Sequence, residues 1–369
     1  MTWLETLEQT LKQSELKDIL RDSLGPLYGP FHKLCSILWS IVLPGRTTEI
    51  YWLYLLSALA VGLGVYVWQH SKTRGLLDYV WQHSKTRGLV FNKLREFGLP
   101  RSIYAHKSAI VDYKYYFTFL ILRGYLAFGT LVISTALIGG YCKSLLQHIF
   151  GPVESQLEAG LSARLIYTVL LVLAVDLGYF IAHYLEHKVP FFWEFHKVHH
   201  SAEVLTPITN YRLHPMDDFL QGFFMNLFGG TVSGIFGYLF YNGLDKITIL
   251  NVSVIMLAHY LTANLRHSHI WLSYGWALSH VFYSPAMHQI HHSVVERHVD
   301  KNFGLVFSFC DYLAGTLYVP REQEDLKWGL KNQEHTEYSG VSTLLVLPVK
   351  KAARLVLSVI LPPPKTRAT

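Results

Sequence analysis

The 369-residue chain contains 20 histidines, and fourteen of them lie between His183 and His298. Three groups in that stretch have helical spacing: His183 and His187 in HYLEH, His196 with His199 and His200 in HKVHH, and His288 with His291 and His292 in HQIHH. Residues three and four apart share one face of a helix, so each group aims its imidazoles at one place. Neutral imidazole is a ligand for iron, zinc, copper or nickel. Eight rings exceed the needs of one ion, and two ions sharing them is the economical reading. An HxxEH metalloprotease helix matches formally at His183 to His187, but it leaves six nearby histidines unexplained. Asp176 lies seven and eleven residues before His183 and His187, on the same helical face. An ionisable group inside an apolar segment is costly and usually functional. Asp176 is therefore expected to act at the site, accepting the second ring proton of a ligating histidine and fixing its tautomer.

The elements that must position these rings follow from composition. The chain is 51% hydrophobic, 14% aromatic and 16% charged, against roughly a quarter charged in an ordinary soluble domain. Disorder is excluded by the same numbers. A disulfide scaffold is excluded by three cysteines with no CxxC spacing. The net charge of +6, in a chain this apolar, points to a membrane surface rather than to nucleic acid.

About 20 mostly apolar residues cross a bilayer as a helix. Windows of that kind run over Ile50–Trp68, over Gly124–Cys142 with an extension back to Tyr115, and over Leu165–Ala182. Two more, Phe219–Asn242 and Ile247–Leu265, read as a helical hairpin about Asp245 and Lys246. The expected fold is an all-α integral membrane protein of four to five transmembrane helices with a cytoplasmic helical cap carrying the histidines. The orientation comes from the loop after the first span, which holds Lys72, Arg74, Lys85, Arg87, Lys93, Arg95, Arg101 and Lys107. The loop at 143–160 holds Lys143 alone. Positive loops face the cytoplasm, which brings the third span back to the cytoplasm beside His183.

Four segments follow: an amphipathic N-terminal segment over 1–48, a first span and basic loop over 49–114, the histidine-bearing domain over 115–320, and a C-terminal segment over 321–369. Met1 to Leu20 lacks the apolar core of a cleavable signal. In the last segment Val349–Leu361 reads as a basic amphipathic helix on an anionic leaflet, followed by a disordered Pro-rich tail. Tyr66–Leu77 recurs as Tyr79–Val90 with one change. A single tandem copy is too short for a solenoid, and no function is assigned to it. Aromatic residues near the histidines, among them Tyr179, Trp193 and Trp276, are candidates for an access path or for interfacial anchors.

The run from Asp176 to Asp218 and the run from His267 to Pro320 resemble the fatty acid hydroxylase and sterol desaturase superfamily of integral-membrane di-iron oxygenases. The resemblance covers roughly residues 100 to 320 and rests on three histidine boxes in order, with the flanks SPxxHxxHHS, KNFG and DxLxGT. It implies two iron ions on the ligands His183, His187, His196, His199, His200, His288, His291 and His292. By that resemblance His267 is a further ligand, and His214, His259 and His269 are additional candidates. Tyr184 stands where many members have Arg, and His269 where Asn is frequent; both departures bear on substrate rather than on metal. The implied reaction uses O2 to hydroxylate or desaturate a C–H bond of a sterol, fatty acyl, sphingoid or ether lipid. Electrons would come from NAD(P)H through an external b-type cytochrome or ferredoxin with its reductase, since no GxGxxG fingerprint follows a strand. The resemblance implies an endoplasmic reticulum membrane if the source is eukaryotic and an inner membrane if it is bacterial. The alternatives are a membrane metal transporter, which would line several spans with histidine, and a non-catalytic scaffold.

Overall fold

A computed structural model describes residues 52–71, 95–131, 134–153, 160–240, 245–249 and 252–360. The N-terminal segment 1–48, most of the basic loop, the second copy of the repeat and the Pro-rich tail lie outside the described residues.

The centre of the fold is a pair of long apolar helices, α4 (Leu161–Lys188) and α6 (Pro215–Leu239). Among the described residues these two are long and apolar enough to cross a membrane. Their close contact depends on glycine. A Cβ on Gly178 of α4 would stand 2.5 Å from the Phe224 carbonyl oxygen of α6, so only a residue without a side chain lets the two backbones meet. On its other side α6 packs against α3 (Thr135–Phe150), where a Cβ on Gly234 would stand 2.6 Å from the Gly139 carbonyl.

Of the other expected spans, the first is a helix and two take other forms. The first forms α1 (Trp52–Ser71), apolar over Tyr54–Trp68, and is tied to a neighbouring helix by a hydrogen bond from Ser57 Oγ to the Leu261 carbonyl at 2.8 Å. The second is not one helix: α2 covers Lys107–Leu131, and α3 starts afresh after Ser134. The Ser134 side chain accepts from Leu137 N–H as an N-cap. The expected hairpin about Asp245 is also corrected. Thr248–Ile249 and Val252–Ser253 pair as two short antiparallel strands, and α7 (Val254–Ala263) is only ten residues long. At 1.5 Å per residue that is about 15 Å, half the hydrocarbon thickness.

The C-terminal helix, α11 (Val341–Ile360), begins eight residues before the expected start and does not simply lie on a surface. Leu344 is fully buried in a cluster with Tyr115, Phe119, Val198, Leu330 and Tyr338. Lys351 pairs with Glu334 at 2.7 Å and Glu337 at 3.1 Å. Its opposite face leaves Val346, Val349 and Val356 exposed.

Candidate metal centre

The site begins with a break in the chain. Pro190 has no N–H to continue α4 and disfavours a helical Val189, which is extended at φ −99° and ψ 114°. The next helix, α5 (Pro190–His200), starts with that proline at its first position. The turn folds HKVHH back onto His183 and His187. After the one-turn α8 (Gly275–Ser279), a second short helix, α9 (Pro285–His292), also starts on proline and carries HQIHH. His267 comes from the irregular segment after α7.

These elements bring nine imidazoles into two clusters: His183, His187, His196, His200 and His291 in one, and His199, His267, His288 and His292 in the other. Within each, one ring nitrogen per residue lies within 4.8 Å of all the rest. All eight box histidines and His267 are therefore together. Their ring nitrogens fit bound cations better than bare hydrogen bonding. His267 Nε2 lies 2.9, 3.0 and 3.2 Å from the Nε2 atoms of His288, His292 and His199. Four nitrogens around one ion at 2.0–2.1 Å would stand about 3.3 Å apart, whereas a single ring N–H can serve one neighbour well. In the five-ring cluster, His183 Nε2, His196 Nε2 and His291 Nε2 are buried with no hydrogen-bond partner among the described residues. Such orphaned atoms are uncommon in native interiors, and a cation at the centre of the cluster satisfies them.

Burial is the largest influence on the imidazoles outside the spans. It lowers His199 to about 3 and holds His200, His267, His288, His291 and His292 well below the ordinary range. The rings are thus neutral at physiological pH, as ligation requires. The unfolded chain protonates His199 near 6.5, so the stability linked to this ring is complete above about pH 6.5. It is withdrawn as pH falls from there toward about 3. Metal-free protein should lose thermal stability as pH drops through that window; a melting temperature flat from about pH 7 to about pH 4 would contradict the burial.

The other ring nitrogens are held by the loop from Asp300 to Phe303. The Lys301 carbonyl pairs with His291 Nδ1 at 2.9 Å, the Phe303 carbonyl with His183 Nδ1 at 3.0 Å, and Asp300 Oδ1 lies 3.6 Å from His187 Nδ1. Asp300 and Asn302 adopt φ of 59° and 62°, a region costly for residues with a Cβ. Asn302 is locked by bonds from its Nδ2 to the Met287 and Tyr318 carbonyls. Hydrogen bonding to His187 is the first cause that holds the Asp300 carboxyl well below the usual carboxylate range.

The expected partner for the imidazoles is not Asp176. Its Oδ1 accepts Val306 N–H at 2.7 Å and its Oδ2 accepts Phe307 N–H at 3.3 Å, so its bonds go to backbone. Besides Asp300, the carboxylates that face a ring of the clusters are Glu186 and Asp217, 3.4 and 3.6 Å from His196 Nδ1; Glu186 also accepts from Gln221 Nε2 at 3.0 Å. Glu186 was visible inside HYLEH, but nothing in the spacing linked it to Asp217. The additional candidates His214, His259 and His269 lie outside both clusters. His214 caps α6 by accepting Met216 N–H and pairs with the Leu345 carbonyl, His259 pairs with Arg266, and His269 with the Phe97 carbonyl.

Two cavities flank the rings. One of about 260 Å³ is lined by Phe119, Tyr179, Met225, Leu305, His199 and His267, among others. The second, about 300 Å³, is lined by His187, Trp193, His200, His291, Asp300, Lys331 and Glu334, among others. Trp276, by contrast, is exposed on the surface.

Two buried histidine clusters beside a pair of long apolar helices agree with a specific class of protein. Residues 168–316 match the fatty acid hydroxylase family model, and this supports the likeness to the fatty acid hydroxylase and sterol desaturase superfamily. The chain is also 26% identical over 164 residues to the alkylglycerol monooxygenase of Caenorhabditis elegans. That match covers 44% of this chain and 29% of the relative, so it reaches less than a third of the relative's length. No solved structure matches the chain. Family model and relative point to an oxidoreductase.

Proposed function

We propose that the chain is a membrane-bound di-iron oxygenase that hydroxylates or desaturates a C–H bond of a lipid. The observation that supports this is the convergence of five and four buried imidazoles within a fatty acid hydroxylase domain. One iron in each cluster would supply oxygen activation. The chain's own residues do the rest. The carbonyls of Lys301 and Phe303 and the carboxylates of Asp300, Glu186 and Asp217 orient the rings from behind. Phe119 of α2, Tyr179 of α4 and Met225 of α6 wall the 260 Å³ cavity together with Leu305, and in this reading it is the lipid path from the bilayer. The other cavity, rimmed by the charged Asp300, Lys331 and Glu334, faces an aqueous electron donor.

Hydroxylation consumes a lipid C–H, O2, two electrons and two protons, and yields the alcohol and one water. Desaturation breaks a C–H bond on each of two adjacent carbons with the same O2, electrons and protons, and yields an alkene and two waters. The electrons are to come from NAD(P)H through a b-type cytochrome or ferredoxin and its reductase. In this reading the chain is multi-pass, with its histidine face cytoplasmic, in the endoplasmic reticulum or a bacterial inner membrane. The relative's name puts glycerol ether lipids first among substrates to assay.

The test is the iron content of purified protein together with lipid profiles of a deletion strain carrying either the wild-type chain or His199→Ala. Two irons per chain and a lipid difference that only the wild-type chain restores are expected. Iron-free protein, or identical lipid profiles, overturns the reading. A narrower result is expected from Met225→Trp, which fills the lipid cavity without touching a ligand. It should retain its iron while product formation falls at least about tenfold, equivalent to about 1.4 kcal/mol.

A further inference from the structure

Asp176 has no contact with the metal centre, and its actual contacts bear on how the chain sits in lipid. At 1.5 Å per residue, the 30 Å hydrocarbon layer takes about 20 residues. Even if the buried part of α4 is counted from its first residue, Leu161, it runs to Phe180, four residues beyond Asp176. Asp176 is thus within hydrocarbon depth, and its carboxylate binds the backbone of Val306 and Phe307. A non-helical segment consequently runs beside α4 at that depth. Cys310, in the short helix α10 (Phe309–Ala314), packs there too, against Phe180, Leu177 and Ile181.

Irregular backbone at membrane depth survives only if its polar groups are satisfied. Here two carboxylates satisfy it: Asp176 as above, and Asp311, which accepts Phe303 N–H and Gly304 N–H, each at 2.8 Å. The outer face of the segment is correspondingly apolar. Tyr312 and Leu313 are 67% and 77% exposed, and Phe309 and Phe282 are also exposed. Asp311 is the one charged residue between 302 and 320, and it is fully buried. Phe282, bridged to Phe307, extends the same face onto residues 275–282, where the exposed side chains include Trp276, Leu278 and Val281.

We propose that residues 303–315, with 275–282 beside them, form a re-entrant element embedded in the bilayer next to α4. Lipid acyl chains cover Phe282, Phe309, Tyr312 and Leu313, and Asp176 is the intramembrane anchor of the element's backbone. Hydrocarbon is the occupant because the patch continues the exposed apolar side of α4, against which α10 packs. The proposal rests on the reading of α4 as a membrane span.

The test uses the full chain in phosphatidylcholine vesicles with or without bromine on the acyl chains, a quencher of nearby indole. Three variants at exposed positions are compared with the parent chain, and the added tryptophan emission is read as a difference: Tyr312→Trp on the element, Leu170→Trp on α4, and Glu322→Trp on the cap. Added emission from Tyr312→Trp and Leu170→Trp should fall severalfold in brominated vesicles, while that from Glu322→Trp stays unchanged. If Leu170→Trp is quenched and Tyr312→Trp behaves like Glu322→Trp, α4 spans the bilayer and the element does not enter it. If Leu170→Trp also escapes quenching, the span reading falls and the proposal falls with it.

Discussion

His267→Ala should remove metal from one cluster and abolish turnover, although His267 belongs to no repeated box. Its Nε2 is the shared neighbour of His199, His288 and His292, so deleting it takes one corner from the four-nitrogen set. Loss of even an outer-sphere partner commonly costs 10- to 100-fold in metal affinity or activity, and a ligand should cost at least about a hundredfold. Iron per chain should fall by half, with the five-ring cluster still loaded. The informative comparison is His214→Asn, which also alters a buried histidine but at the start of α6, beside the Leu345 carbonyl. That variant should keep both irons. Equal iron content in His267→Ala and the parent chain would show that the four-ring cluster binds no metal.

The largest effect on stability should come from Asp112→Ala. Asp112 and Arg212 form a fully buried ion pair at 2.6 Å, and Arg212 further donates to the Val198 carbonyl at 2.9 Å, the Ser201 hydroxyl at 2.8 Å and the Tyr338 carbonyl at 3.0 Å. One guanidinium thereby ties α2, the end of α5 and the segment before α11 together, just behind His199 and His200. Removing one partner of a buried pair leaves an uncompensated charge and costs about 3–5 kcal/mol. Asp112→Ala should therefore shorten the half-life of the detergent-solubilised protein on heating far more than any surface substitution. The double variant Asp112→Leu/Arg212→Met removes both charges and should recover part of the loss. It cannot recover all of it, because two carbonyls lose their donor at about 1–3 kcal/mol each. A double variant no more stable than Asp112→Ala would mean that the charge pair is not the source of the cost.

Both predictions concern contacts of different legibility. The box histidines were readable because i, i+3 and i+4 spacing on a helix is a local property that survives any tertiary arrangement. The apolar windows behind α4 and α6 were readable for the same reason, since length and hydrophobicity suffice to mark them. The windows at 124–142 and 247–265 misled because apolarity does not report where a helix stops. The first is divided by the Ser134 cap, and the second spends its early residues on paired strands.

The sequence marks Asp176 but not its partners, which are backbone N–H groups. Its spacing placed it on the histidine face, yet the groups that reach its oxygens are the N–H groups of residues 130 and 131 positions away. Conversely, Asp217 and Asp300 carried no local signal, because their value lies in distances to His196 and His187 across separate elements.

By itself the sequence determined the ligand chemistry and the apolar helices that carry it, because both depend on residue type and near-neighbour spacing along one chain segment. Only the tertiary structure decided how the nine rings divide into two clusters, that His267 joins one and His214 joins neither, and which carboxylates stand behind them. The reason is physical. Division of ligands between ions is a matter of a few ångströms between atoms on α4, α5, α9 and the loop at His267, and those distances are set by the Pro190 turn and by glycine contacts between backbones, which no periodicity encodes.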